Sequence, residues 1–174
     1  MLIKSKNIHG FTLIELLVTI SIILLVTGAG IAGFVRFNDR QQVQTTVNQL
    51  KDYMNSAQIK ARAGEGADSC TSPGKLYGYR VATDVNKVYL RKICREPENI
   101  TNVTNNELRS DFDLNNVTVV KNPNTNITFI ALKGGIDMGN NTSVIYTVTG
   151  KYATDIIYEF EVFSTGEISE GDFL

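Results

Sequence analysis

Residues 11–35, FTLIELLVTISIILLVTGAGIAGFV, are mostly apolar and hold a single charged side chain before Arg36, that of Glu15. About 20 such residues in a helix cross the hydrocarbon core of a bilayer, so the run predicts a transmembrane span. The stretch ahead of it, MLIKSKNIHG, is polar and basic. A secretory signal peptide has the opposite order, a shorter apolar region placed before its cleavage point. Cleavage after Gly10 would therefore keep the apolar run as an anchor. Lys4 and Lys6 orient it by the positive-inside rule, with residues 1–10 in the cytoplasm and everything after the span outside. The expected location is a single-pass cytoplasmic (inner) membrane protein.

A carboxylate inside a bilayer costs about 2.5–3.5 kcal/mol on insertion scales and usually marks function. Glu15 therefore requires a cationic partner. If the Gly10–Phe11 bond is cut, the new amine on Phe11 lies four residues from Glu15. In a helical stack, one subunit's amine pairs with the next subunit's carboxylate, which neutralises both and sets the axial register. A plain anchor with an incidental glutamate is the simpler alternative.

The stretch Gly10-Phe11-Thr12-Leu13-Ile14-Glu15-Leu16-Leu17-Val18 resembles the prepilin cleavage and methylation motif shared by type IV pilins and type II secretion pseudopilins. The resemblance implies cutting between Gly10 and Phe11 by a membrane prepilin peptidase, N-methylation of Phe11, and a docking role for Glu15 in assembly. It also implies other pilin or pseudopilin subunits and assembly-platform proteins as partners, and a filament as the destination.

Past Val35, the residues Val43, Val47, Leu50, Met54, Ala57 and Ala61 are spaced 4, 3, 4, 3, 4. That is one face of a helix. No proline occurs before Pro73, and Gly64 with Gly66 supplies a stop. One helix is expected from Phe11 to about Arg62, roughly 75–80 Å long at 1.5 Å per residue. The stripe reads as a face laid on a sheet, with small Ala57 and Ala61 suiting close approach; a dimeric coiled coil is the other reading. Gly28, Gly30 and Gly33 weaken the helix near the end of the apolar run, or let neighbouring helices pack closely there.

From Leu76 the pattern changes to short strand-like runs: LYGYRV, VYLRKIC, NVTVV, NITFIAL, SVIYTVT and IIYEFEVF. In the last, Ile156, Tyr158, Phe160 and Val162 form an apolar face opposite Ile157, Glu159, Glu161 and Phe163. Residues 98–126, rich in Asn and Thr, read as a long surface excursion with one strand inside it. The fold class is α+β: a long N-terminal transmembrane and amphipathic helix packed on an antiparallel sheet. The divisions are a leader, 1–10; a transmembrane half-helix, 11–35; an amphipathic half-helix, 36–63; and a β-rich head, 64–174. A strand such as Ile127-Thr128-Phe129 before a glycine turn, and a last strand running into Gly166, resemble minor pseudopilins of type II secretion.

The chemistry available is narrow. His9 is the sole histidine and leaves with the leader, which removes Ser-His-Asp, Cys-His and histidine-metal arrangements. No phosphate-binding glycine loop follows a strand, and Glu159 and Glu161 read as a solvated strand face. No enzyme activity and no cofactor is expected. Cys70 and Cys94, 24 residues apart on the oxidising side, suggest a disulfide or two buried thiols. Two cysteines alone do not make a metal site. Asp137 with Asn140 and Asn141 reads as a turn rather than a Ca²⁺ loop. Asn-x-Ser/Thr triplets at Asn99, Asn102, Asn116, Asn126, Asn140 and Asn141 follow from composition.

Two functional readings follow. The first is a structural subunit, preferably a minor one, of a type IV pilus or type II secretion pseudopilus. The second is a DNA-binding minor pilin of an uptake apparatus, which would need clustered cations. The net charge is −1, falling to −3 without Lys4 and Lys6, and the segment Gly166 to Asp172 is acidic. Only Lys87, Arg91, Lys92 and Arg95 leave a small basic patch possible, so DNA is the disfavoured partner.

Overall fold

A computed structural model describes residues 11–70, 75–95, 103–132 and 135–174. One helix, α1, runs unbroken from Leu13 to Ala63. Its start is capped by Thr12, whose Oγ1 accepts the Glu15 backbone N–H at 3.3 Å. At its end Gly64 sits at φ 63°, and the Gly64 and Glu65 N–H groups return to the Ala61 and Lys60 carbonyls, each at 3.1 Å. This paired closure needs a left-handed residue, which glycine adopts without a Cβ clash. Within the apolar half, the hydroxyls of Thr19, Ser21 and Thr27 donate to carbonyls three or four residues back, at 2.7–2.9 Å. These three hydroxyls are thereby satisfied inside the helix, as an apolar surrounding demands.

After a 3-10 turn at Ala67–Ser69 come, among the described residues, nine strands: β1 (Lys75–Thr83), β2 (Lys87–Arg95), β3 (Val103–Asp113), β4 (Val117–Asn122), β5 (Ile127–Ile130), β6 (Ile136–Asp137), β7 (Ser143–Gly150), β8 (Ile157–Phe163) and β9 (Asp172–Phe173). They form two antiparallel sheets, ordered β3-β2-β1-β5-β6 and β4-β7-β8-β9. The first packs near the end of α1, where Tyr53 meets the Phe112 ring and the Leu132 N–H reaches the Ala61 carbonyl. The second packs nearer the middle of α1, around Asp39, Arg40 and Lys51.

The stripe Val43, Val47, Leu50, Met54, Ala57 and Ala61 is buried throughout. It is covered by Tyr79, Val81, Val88, Leu90, Ile127 and Phe129 from the first sheet, and by Val144, Tyr146, Val148, Tyr158, Phe160 and Val162 from the second. Each fully buried large apolar side chain contributes about 1.5–3 kcal/mol, so the helix is held by tertiary packing more than by propensity. The sheet reading of the stripe is the observed one. The architecture is α+β and pilin-like, a long apolar N-terminal helix joined to antiparallel sheets.

Two expectations are corrected. The single sheet is split into two. The excursion over 98–126 contains an 11-residue strand, β3, besides β4. β3 is an edge strand whose pairing to β2 uses backbone groups, so its polar sequence VTNNELRSDFD was no obstacle.

Candidate functional site

At the N-terminal end of α1, Phe11, Leu13, Ile14, Leu16 and Leu17 are all exposed, as is Glu15 one turn after Phe11. Among the described residues no cation pairs with the Glu15 carboxylate. Gly10 lies outside the described residues. The helix stays largely apolar and, at the side chains described, exposed to Val35, then meets the head at Arg36 and Asp39.

Asp39 is the joint between the two halves. Only 1% of it is exposed, and its Oδ2 accepts the backbone N–H groups of Tyr152 and Ala153 at 2.8 and 2.5 Å. The turn between β7 and β8 is thus tied to the helix at the end of the apolar run. Arg36 pairs with Asp155 in the same turn, and the Arg40 guanidinium lies 4.5 Å from the Phe173 ring centroid. Nothing in the stripe pattern singled out Asp39. A lone acid next to an apolar face was its sole signal.

Cys70 and Cys94 form a disulfide with a Cα separation of 5.8 Å, fastening the start of the head to the end of β2. Of the two readings open in the sequence, the bonded one is observed. Asp137 accepts the Tyr77 hydroxyl at 2.7 Å and the Gly139 N–H at 3.1 Å, with Arg95 at 3.9 Å. Burial pushes its carboxyl up, but Tyr77, Gly139, Arg95 and Arg80 outweigh burial and hold it below the usual carboxylate value.

The four cations that might have formed one basic patch are dispersed. Lys87 pairs with Asp111 at 2.7 Å and Asp113 at 3.4 Å, and Lys92 is fully buried on the inner face. Arg95 lies 3.8 Å from the Tyr77 ring centroid and faces Asp137. Arg91 rests over Tyr89 at 5.0 Å. Alternation along β2 already separates Lys92 from the other three. Arg80, which sequence reading overlooked, stands directly opposite Arg91 on β1. Burial and the Arg95 charge both lower its guanidinium from its ordinary value.

The acidic C-terminal segment folds back on the head. The Glu170 carbonyl accepts the Tyr158 hydroxyl at 2.5 Å and the Lys51 ammonium, and β9 closes the edge of the second sheet. Glu159 and Glu161 lie on the outer face of β8, Glu159 accepting the Thr147 hydroxyl at 2.8 Å. Of the triplet asparagines, Asn126 and Asn140 are exposed, Asn116 and Asn141 are half-buried, and Asn99 and Asn102 lie outside the described residues.

Residues 5–31 match the family model of the prokaryotic N-terminal methylation motif. No curated protein and no solved structure matches the chain.

Proposed function

We propose that the chain is a type IV pilin-like prepilin: a structural subunit that waits in the inner membrane on its own helix and is then polymerised, with no enzymatic role. The observation that carries this reading is the methylation motif at residues 5–31 leading into a 51-residue helix whose first half is apolar and uncovered while its second half is clamped to a head. An apolar stretch of that length left bare on a folded chain requires lipid or other apolar helices around it.

Prepilin peptidase cuts between Gly10 and Phe11, and Phe11 receives the N-methyl group. The freed amine of one protomer then meets Glu15 of its neighbour, which offsets the cost of a lone carboxylate in an apolar interior. The order of β5, a glycine after it at Gly135, and β8 running on to Gly166 supports a minor subunit of a pilus or secretion pseudopilus. The test is intact-mass measurement of the chain from cells with and without an active prepilin peptidase, alongside fibre incorporation of Glu15→Ala. Loss of residues 1–10 with one added methyl group, and failure of the variant to incorporate, are expected. An uncut chain in peptidase-positive cells would overturn the reading.

A further inference from the structure

The outer face of the first sheet carries a row of side chains running straight across four strands. Arg91 of β2 is opposite Arg80 of β1, Arg80 is opposite Thr128 of β5, and Thr128 is opposite Asp137 of β6. Like charges placed directly opposite on neighbouring strands repel, and the one carboxylate of the row, Asp137, is shared with Arg95 and offsets only part of this. Arg80 donates its Nε to Thr128 Oγ1 at 3.0 Å, and Arg91 rests on Tyr89. Neither forms an ion pair among the described residues, so no described carboxylate holds their terminal N–H groups.

A third guanidinium adds to the imbalance. Arg95 shares Asp137 with the Tyr77 hydroxyl, and its own Nε is buried without a hydrogen-bond partner. Beside the Arg80–Arg91 pair lies a cleft of about 260 Å³, lined by both arginines, Tyr89, Thr83, Asp84 and Asn126. The Asp84 Oδ1 is engaged by the Val85 N–H at 2.7 Å. Lys121 donates to the Asn126 Oδ1 at 3.3 Å, which occupies the amide oxygen and leaves the N–H groups as neutral donors.

We propose that this cleft binds a phosphoryl dianion, either inorganic phosphate or a phosphate monoester, held between the terminal nitrogens of Arg80 and Arg91 with the Asn126 amide as a third donor. A planar guanidinium fork presents parallel N–H groups that match phosphate oxygens, and one end of each fork is already fixed here by Thr128 or Tyr89. With Asp84 in the lining the cleft keeps a net positive charge, and a terminal phosphoryl group offers three oxygens to the two guanidinium forks, where a carboxylate or a phosphodiester link offers two. The cleft exceeds the size of phosphate alone and leaves room for the substituent of an ester. The site rests on the sheet alone and stands or falls independently of filament assembly.

The experiment uses the full chain in a neutral, phosphate-free detergent. Binding is measured by calorimetry for inorganic phosphate, glucose 6-phosphate and a short single-stranded DNA without terminal phosphates. Saturable binding of inorganic phosphate or of the sugar phosphate is expected, the tighter of the two identifying the source. Arg80→Gln and Arg91→Gln should each weaken it by about tenfold or more, and Lys75→Gln, on the exposed start of β1, should not. The ligand should raise the melting temperature of the wild type and not that of Arg91→Gln. That variant, relieved of its opposed charge, should melt no lower than wild type without ligand, which separates lost binding from lost folding. Unchanged affinity in both arginine variants, no saturable binding of either phosphate, or binding of the DNA alone would each overturn the proposal.

Discussion

Replacing Asp39 with alanine should detach the head from the helix at the point where the two halves meet. Its carboxylate receives two backbone N–H groups, from Tyr152 and Ala153, in a position 1% exposed. Hydrogen bonds to a charged group contribute about 1.5–3 kcal/mol each, so two amount to about 3–6 kcal/mol. Part of this is already offset, because the Asp39 Oδ1 is buried with no partner, at a cost of about 1–3 kcal/mol that alanine removes. The net loss should be about 2–3 kcal/mol. Asp39→Asn keeps an oxygen for both amides and gives up only the charge, so it should lose about 1 kcal/mol. Urea unfolding of the full chain in detergent, followed by tyrosine fluorescence, reads the head selectively: there is no tryptophan, and every tyrosine lies at or after Tyr53. With a urea slope of about 1–3 kcal/mol per molar, the alanine variant should lose about 1 M or more of midpoint. A loss under about 0.5 kcal/mol for alanine, or equal losses for alanine and asparagine, would refute the assignment of Asp39 as a charged acceptor joining helix and turn.

Two further outcomes follow from the head. Cys94→Ser opens the 24-residue separation closed by the disulfide and should cost about 3–4 kcal/mol by chain entropy, read as a urea midpoint shift that vanishes when both proteins are compared under reductant. Tyr77→Phe removes a hydrogen bond that holds the Asp137 carboxyl below its ordinary value. Because that group's folded-state value is depressed, its stabilisation is present above the unfolded value, about pH 4, and is lost as pH falls through the folded one. The gap between wild type and Tyr77→Phe should therefore be wider at neutral pH than near pH 2, and a gap independent of pH would contradict the pairing.

How much of this was legible in the sequence depended on whether a periodic pattern reported burial. The stripe from Val43 to Ala61 and the alternation from Ile156 to Val162 were readable because each has one face in the core. β3 was not, since an edge strand is paid for by backbone pairing and needs no apolar face. The partition into two sheets was hidden for a related reason: alternation tells which face is buried but not which strands are neighbours. The same limit kept Arg80, Arg91 and Thr128 apart. They are far separated along the chain, and only the β1–β2 and β1–β5 registers align them. The disulfide was legible as a possibility, because spacing along a chain carries no distance between sulfur atoms. Residues 5–31 were the most readable segment, since a charge placed in an apolar run has few explanations.

The unbroken course of α1 from Leu13 to Ala63 fixes an angular relation as well as a length. Each residue advances an α-helix by 1.5 Å and turns it by about 100°, so the azimuth of Glu15 and that of the head are geared together with no swivel between them. One residue inserted between Phe34 and Val35 would leave the contacts of the head with Arg36 and Asp39 intact, yet swing the head about a quarter-turn around the helix axis relative to Glu15.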